Sequence, residues 1–164
     1  MSSPDASPPS TTIDRGIYVM PQFVTFEVSD MDSARRWYVN GLGFVELAVL
    51  PGPEGEPVLV HLRRFRYQDI LLVPGRDPED KASGVRVSFA AGDEDLDARA
   101  AIAANEPGGT VEGPTRTPWN TRDLHVQDAD GHLLVFTQPD QNADMDSEFA
   151  RRVRDSVQAA EEAG

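Results

Sequence analysis

The chain contains no cysteine among its 164 residues, which excludes a disulfide framework, thiolate metal sites and cysteine nucleophiles together. Bases are scarce: 15 Lys and Arg stand against 28 Asp and Glu, for a formal net charge of −13. Such a field repels phosphate backbones and anionic lipid, so neither nucleic acid nor a membrane surface is an expected partner. No apolar run approaches the roughly 18 residues of a membrane span, and the first residues lack the basic-then-apolar order of a secretion signal. A soluble, cytoplasmic protein is expected. Histidine occurs only at His61, His125 and His132, without HExxH or comparable spacing. No Gly-x-Ser-x-Gly elbow or phosphate-cradling glycine loop is present.

The informative feature is an internal repeat at an offset of 63 residues. Phe23-Val-Thr-Phe-Glu-Val-Ser-Asp30 aligns with Arg86-Val-Ser-Phe-Ala-Ala-Gly-Asp93, and Asp69-Ile-Leu-Leu-Val-Pro74 aligns with His132-Leu-Leu-Val-Phe-Thr137. In each opening strand the apolar residues alternate: Val24, Phe26 and Val28 form one face, and Phe23, Thr25 and Glu27 the other. Asp30 and Asp93 occupy helix N-cap positions. Ala34, Trp37 and Tyr38 mark the buried side of the first helix, which Gly41 and Gly43 end, and a strand follows from Phe44 to Leu50. Residues 51–57, Pro-Gly-Pro-Glu-Gly-Glu-Pro, read as a turn before further strand. The unit is β-α-β-β-β, twice.

These signals divide the chain into a flexible arm (1–16), a first module (17–80), a second module (81–140) and an acidic tail (141–164). In the tail Phe149, Val153 and Val157 recur at helical spacing behind the caps Asp144 and Asp146, which predicts a short amphipathic helix. The last hairpin gives the firmest register. Asp130-Gly131 supplies a three-residue bulged loop that pairs Asp128 with His132. His125 then faces Val135 and Asp123 faces Thr137, away from an apolar face of Leu124, Val126, Leu134 and Phe136. His132 borders the turn and is expected to be solvated. The register of residues 58–68 stays open.

Two β-α-β-β-β modules with an Asp-capped helix and a Pro118-Trp119-Asn120 to Asp128-Ala-Asp-Gly-His132 segment resemble the vicinal oxygen chelate superfamily, which embraces glyoxalases, extradiol dioxygenases, fosfomycin-resistance enzymes and bleomycin-resistance proteins. The resemblance covers about residues 20–139. It implies an α+β fold in which two βαβββ modules form curled mixed sheets around a concave cup, commonly in a homodimer that can arise by module exchange. The metal positions of that family fall here on Phe23, Leu72, Arg86 and Val135. A phenyl ring, two aliphatic chains and a guanidinium offer no lone pair to a divalent cation, so no metal and no other cofactor is expected.

The cup is then expected to be a binding surface of Phe23, Thr25, Glu27, Leu72, Arg86, Ser88, Asp123, His125, Leu133 and Val135, with Trp119 at the rim either stacking on a ligand or covering the hairpin. The resemblance implies a non-catalytic protein that sequesters an aromatic or cationic antibiotic and so confers resistance. Two alternatives stay open. One is a metal-independent glyoxalase-like lyase or isomerase using Glu27 or His125 as general base. The other is an interaction module whose cup is filled by its own partner subunit or C-terminal helix.

Overall fold

The computed structural model describes residues 13, 15–16, 19–20, 22–140 and 147–162. Except for residues 13, 15 and 16, the N-terminal arm lies outside the described residues, as do Asp144 and Asp146. The first module runs β1 (Val24–Val28), α1 (Met31–Arg36), β2 (Val45–Pro51), β3 (Pro57–Arg63) and β4 (Asp69–Pro74). The second runs β5 (Arg86–Ala90), α2 (Leu96–Asn105), β6 (Gly109–Arg116), β7 (Thr121–Asp128) and β8 (Leu133–Pro139). Helix α3 (Ser147–Glu162) follows. Each module makes one mixed four-stranded sheet, in the orders β1-β4-β3-β2 and β5-β8-β7-β6. The outer strands β1 and β5 run parallel to β4 and β8, because a helix carries the chain back before the next strands are laid down. The architecture is α+β and stays open rather than closing into a barrel.

Local sequence explains most boundaries. Asp30 caps α1 by accepting the Ser33 N–H at 2.9 Å. A π-helical turn, Trp37–Gly41, continues α1 and keeps Trp37 and Tyr38 out of water. Gly43 then reverses the chain at φ +78°, a conformation that favours glycine. In the second module the cap is Asp95 rather than the expected Asp93, its carboxylate accepting from Ala98 N at 3.0 Å. Ala91 N still bonds Thr137 O, and Glu94 N turns back to Ala91 O, so α2 cannot begin until Asp95. The segment after Pro51 forms the expected turn, with Gly52 N bonded to Glu56 O at 2.6 Å.

The last hairpin has the expected register. Asp128 N bonds His132 O at 3.1 Å, and Gly131 takes φ +93°. In the first module the corresponding hairpin has no glycine, and Tyr67 takes the left-handed conformation instead, at φ +66°. The first and last strands reveal a departure from the 63-residue offset. Phe26 pairs with Leu72, whereas Phe89 pairs with Phe136. Leu72 therefore corresponds to Phe136 and not to Val135: the second module carries one more residue between its outer strand and that strand's parallel neighbour. Since side chains alternate, one residue of slip changes the face.

Both modules contribute to one core. Phe26, Tyr38 and Phe44 of the first meet Phe89 and Phe136 of the second through a chain of ring contacts with centroids 5.7–6.3 Å apart. Polar ties cross the same boundary as well. Asp130 accepts from Ser29 N at 3.2 Å, and the buried Arg64 pairs with Glu94 while lying 4.2 Å from the Phe136 ring centroid. Burial, with the Arg99 cation close by, pulls the Arg64 guanidinium down to about 9, so it stays charged at neutral pH.

Candidate functional site

Strand pairing fixes which side chains leave the core. In the second sheet, Ser88, Val135, His125 and Glu112 form one row across β5, β8, β7 and β6, with Arg86, Leu133, Gln127 and Thr110 in the next. Asp123 pairs with Thr137 in a third row. Its Oδ1 accepts from Thr137 Oγ1 at 2.6 Å and from Thr121 Oγ1 at 2.8 Å, which holds a buried carboxylate in place. In the first sheet, Thr25, Leu71, His61 and Ala48 form a row across β1, β4, β3 and β2, and Glu27 pairs with Val73. The opposite faces belong to the core.

Leu72 is the sequence expectation that this register corrects. It pairs with Phe26 and Val60, is fully buried, and turns its side chain into the core; Leu71 takes the concave position. Phe23, Thr25, Glu27, Arg86 and Ser88 are exposed, His125 is half-buried, and Val135 is buried at 3% exposure. Trp119 sits on the β6–β7 loop, 49% exposed, with its ring 5.8 Å from that of Phe149 on α3.

Two cavities lie where the modules meet. One, of about 530 Å³, is lined by Thr25 and Glu27 together with Arg76, Asp80, Lys81 and His132. The other, of about 470 Å³, is lined by Phe23, Tyr67, Gln68, Asp69, Arg86 and Ser88. They follow the internal repeat: Thr25, Phe26 and Glu27 in the first stand where Ser88, Phe89 and Ala90 stand in the second. The structure thus brings Phe23, Arg86 and Ser88 together, and separately Thr25 and Glu27. Leu72, Trp119, Asp123, His125 and Val135 line neither cavity.

Two histidines have environments that sequence reasoning did not anticipate. His132 is 8% exposed rather than solvated. Its ring stacks on Phe26 at 4.2 Å, and its Nδ1 lies 2.8 Å from Asp128 Oδ2, to which the Tyr38 hydroxyl also donates at 2.8 Å. Burial first, and the Asp128 carboxylate second, push the Tyr38 hydroxyl well above its ordinary range. His61, in the segment whose register was open, joins a cluster on the concave face. Asp69 Oδ1 lies 2.8 Å from His61 Nε2 and accepts from Arg63 Nε at 2.7 Å, while Arg63 Nη1 donates to Gly16 O at 2.9 Å. The alternation of Leu59, His61 and Arg63 against Val58, Val60 and Leu62 is the signal that would have placed it.

The metal positions implied by family resemblance can now be tested on the corrected register. Phe23, Arg86 and Val135 keep their places and Leu71 replaces Leu72, again without a lone pair to offer. These side chains do not fit a divalent cation. Among the described residues, no group of three His, Asp or Glu converges elsewhere on a point that could hold one.

Residues 21–136 match the family model described as Glyoxalase/Bleomycin resistance protein/Dioxygenase superfamily. Among solved structures, the chain is 31% identical to TnmS3, an antibiotic binding protein from Streptomyces sp. CB03234, with a TM-score of 0.51 over 72% of this chain and 93% of that one. It is 30% identical to a glyoxalase/bleomycin resistance protein from the same organism, with a TM-score of 0.50 over 71% of this chain and 97% of that one. TioX from Micromonospora sp. ML1, at 22% identity and a TM-score of 0.56 over 71% of this chain and 96% of that one, shares the fold. No curated protein matches the chain. With the module topology and the family match coinciding over the same residues, the chain belongs to the glyoxalase/bleomycin resistance protein/dioxygenase superfamily.

Proposed function

We propose that this protein binds an aromatic or cationic antibiotic on its concave faces and sequesters it without chemical change, as a cytoplasmic homodimer that confers resistance. The observation that carries this reading is the set of side chains at the positions where the family grips a metal: Phe23, Leu71, Arg86 and Val135 supply area and one positive charge but no ligand atoms. Sequestration needs only affinity, so those replacements cost it nothing. Similarity to an antibiotic binding protein over most of both chains supports the same reading.

The proposed contact set comprises Phe23, Thr25, Glu27, Arg86, Ser88, Asp123, His125 and Val135, with Trp119 at the rim. Phe23 and Arg86 share the cavity of about 470 Å³, a volume suited to a drug-sized molecule. General-base chemistry draws less support from the geometry. Among the described residues, no carboxylate hydrogen-bonds the His125 ring, and the exposed Glu27 carboxylate has no hydrogen-bond partner. The test is calorimetric titration with polyaromatic and glycopeptide antibiotics, followed by recovery of the ligand. Stoichiometric binding with the compound returned intact is the expected result, and a chemically altered product overturns the proposal.

A further inference from the structure

His61 lies outside the contact set inferred from the sequence, and its surroundings fix its hydrogen-bonding character. Asp69 is wholly buried and its Oδ1 already accepts from Arg63 Nε at 2.7 Å. An oxygen that already accepts a guanidinium N–H presents lone pairs, so a second partner on it is a donor. The 2.8 Å contact between the same oxygen and His61 Nε2 therefore places the proton on Nε2. In the neutral ring that leaves Nδ1 with a lone pair, an acceptor and not a donor. No other hydrogen bond engages the His61 ring among the described residues, and the side chain keeps 19% of its surface open.

Beyond Asp69 and Arg63, the ring's neighbours on that face are apolar. Leu71 pairs directly opposite His61, and Leu59 and Val73 flank the pair, all three half-buried. A polar group presented over such a floor selects for one feature of an otherwise apolar ligand. We propose that His61 is a specificity anchor in the concave face of the first sheet, accepting a hydrogen bond from a phenolic or enolic O–H on a flat aromatic ligand. This rests on the ligand-binding reading above and adds the chemical class that the face selects. A ligand offering only ether or carbonyl oxygens would set lone pair against lone pair at Nδ1, a cost that cannot be passed to water once the ligand covers the ring.

Two measurements on the full chain test it. Long-range ¹H–¹⁵N spectra of the histidine rings at pH 8, with His61 assigned by comparison with His61→Phe, are expected to show a protonated Nε2 and a bare Nδ1. A proton on Nδ1 overturns the proposal whatever binds. The second compares 2-hydroxyanthraquinone with 2-methoxyanthraquinone by titration. The hydroxyl compound is expected to bind about tenfold more tightly and to shift the Nδ1 resonance, with the ratio falling to about one in His61→Phe or, should that variant not fold, His61→Gln. Equal affinity of the two probes for the unmodified protein overturns the anchor while leaving ligand binding intact. If neither probe binds, the anchor is overturned, and binding of a glycopeptide antibiotic in the same titration then leaves the ligand-binding reading standing.

Discussion

Tyr38 in the first module donates its hydroxyl to Asp128 in the second, across 2.8 Å and wholly out of water. Asp128 simultaneously ties its own hairpin, accepting from Asp130 N at 3.0 Å and His132 N at 2.9 Å through its other oxygen. One carboxylate thus joins loop geometry to the packing of one module on the other. Removing the hydroxyl leaves a buried acceptor short of a donor, so Tyr38→Phe should destabilise the fold by about 1–3 kcal/mol in urea unfolding. A loss below about 0.3 kcal/mol would show that the bond does not couple the modules.

The same pair predicts an alkaline limb. The Tyr38 hydroxyl ionises at higher pH in the native state than in the unfolded chain. Its stabilising effect is complete below about pH 10, the unfolded value, and declines as pH rises toward the native one. Arg64, lowered to about 9 in the native state, acts in the opposite sense above that pH, because the unfolded guanidinium keeps its proton longer. The difference in unfolding free energy between the unmodified protein and Tyr38→Phe isolates the tyrosine: it should shrink above pH 10 and stay constant from pH 7 to 9.

Gly109 at the start of β6 lies directly under the Trp37 indole, where an added methyl would strike both the ring and the Gln127 carbonyl. Trp37 is fully buried and has nowhere to move. Gly109→Ala should cost about 1–3 kcal/mol and displace the Trp37 emission maximum toward the red. An unchanged denaturation midpoint would contradict this close approach of the two modules.

The two tryptophans report different places. Trp119 is half-exposed and touches Phe149, so Phe149→Ala should raise iodide quenching of its fluorescence while leaving the Trp37 component and global stability within about 0.5 kcal/mol of the original. Because no residue of α3 lines either cavity, the same substitution should leave antibiotic affinity unchanged. A parallel loss of affinity would place α3 in the binding surface.

The fold was legible where local devices carry it. Alternation in β1, the Asp30 cap and the Asp130-Gly131 turn are local signals, and local geometry obeys them. What escaped was set by tertiary packing. The repeat offset holds for β1 and β5 but slips by one at β8, which turned Leu72 inward, and nothing in the β4 sequence Asp-Ile-Leu-Leu-Val-Pro distinguishes Leu71 from Leu72 as the core residue. His132 looked like a turn residue because its burial depends on Phe26, more than a hundred positions away. His61 was missed for a related reason: its partner Asp69 lies across a hairpin in which Tyr67, not glycine, takes the left-handed position.

Arg86 is exposed at the entry to β5 and shares the cavity of about 470 Å³ with Phe23. Phe23→Ala should weaken an aromatic antibiotic by about tenfold through lost ring contact, with stability hardly changed, since the side chain is 48% exposed. Equal affinity for both proteins would remove Phe23 from the proposed contact set.

The most direct test of metal-free sequestration is calorimetric titration of the bound antibiotic before and after exhaustive treatment with EDTA, then with added Mn²⁺ or Zn²⁺, and chromatographic recovery of the ligand. The same affinity in all three conditions and an intact compound are the predicted result. Affinity that vanishes with EDTA and returns with the cation, or a ligand recovered in altered form, would contradict it.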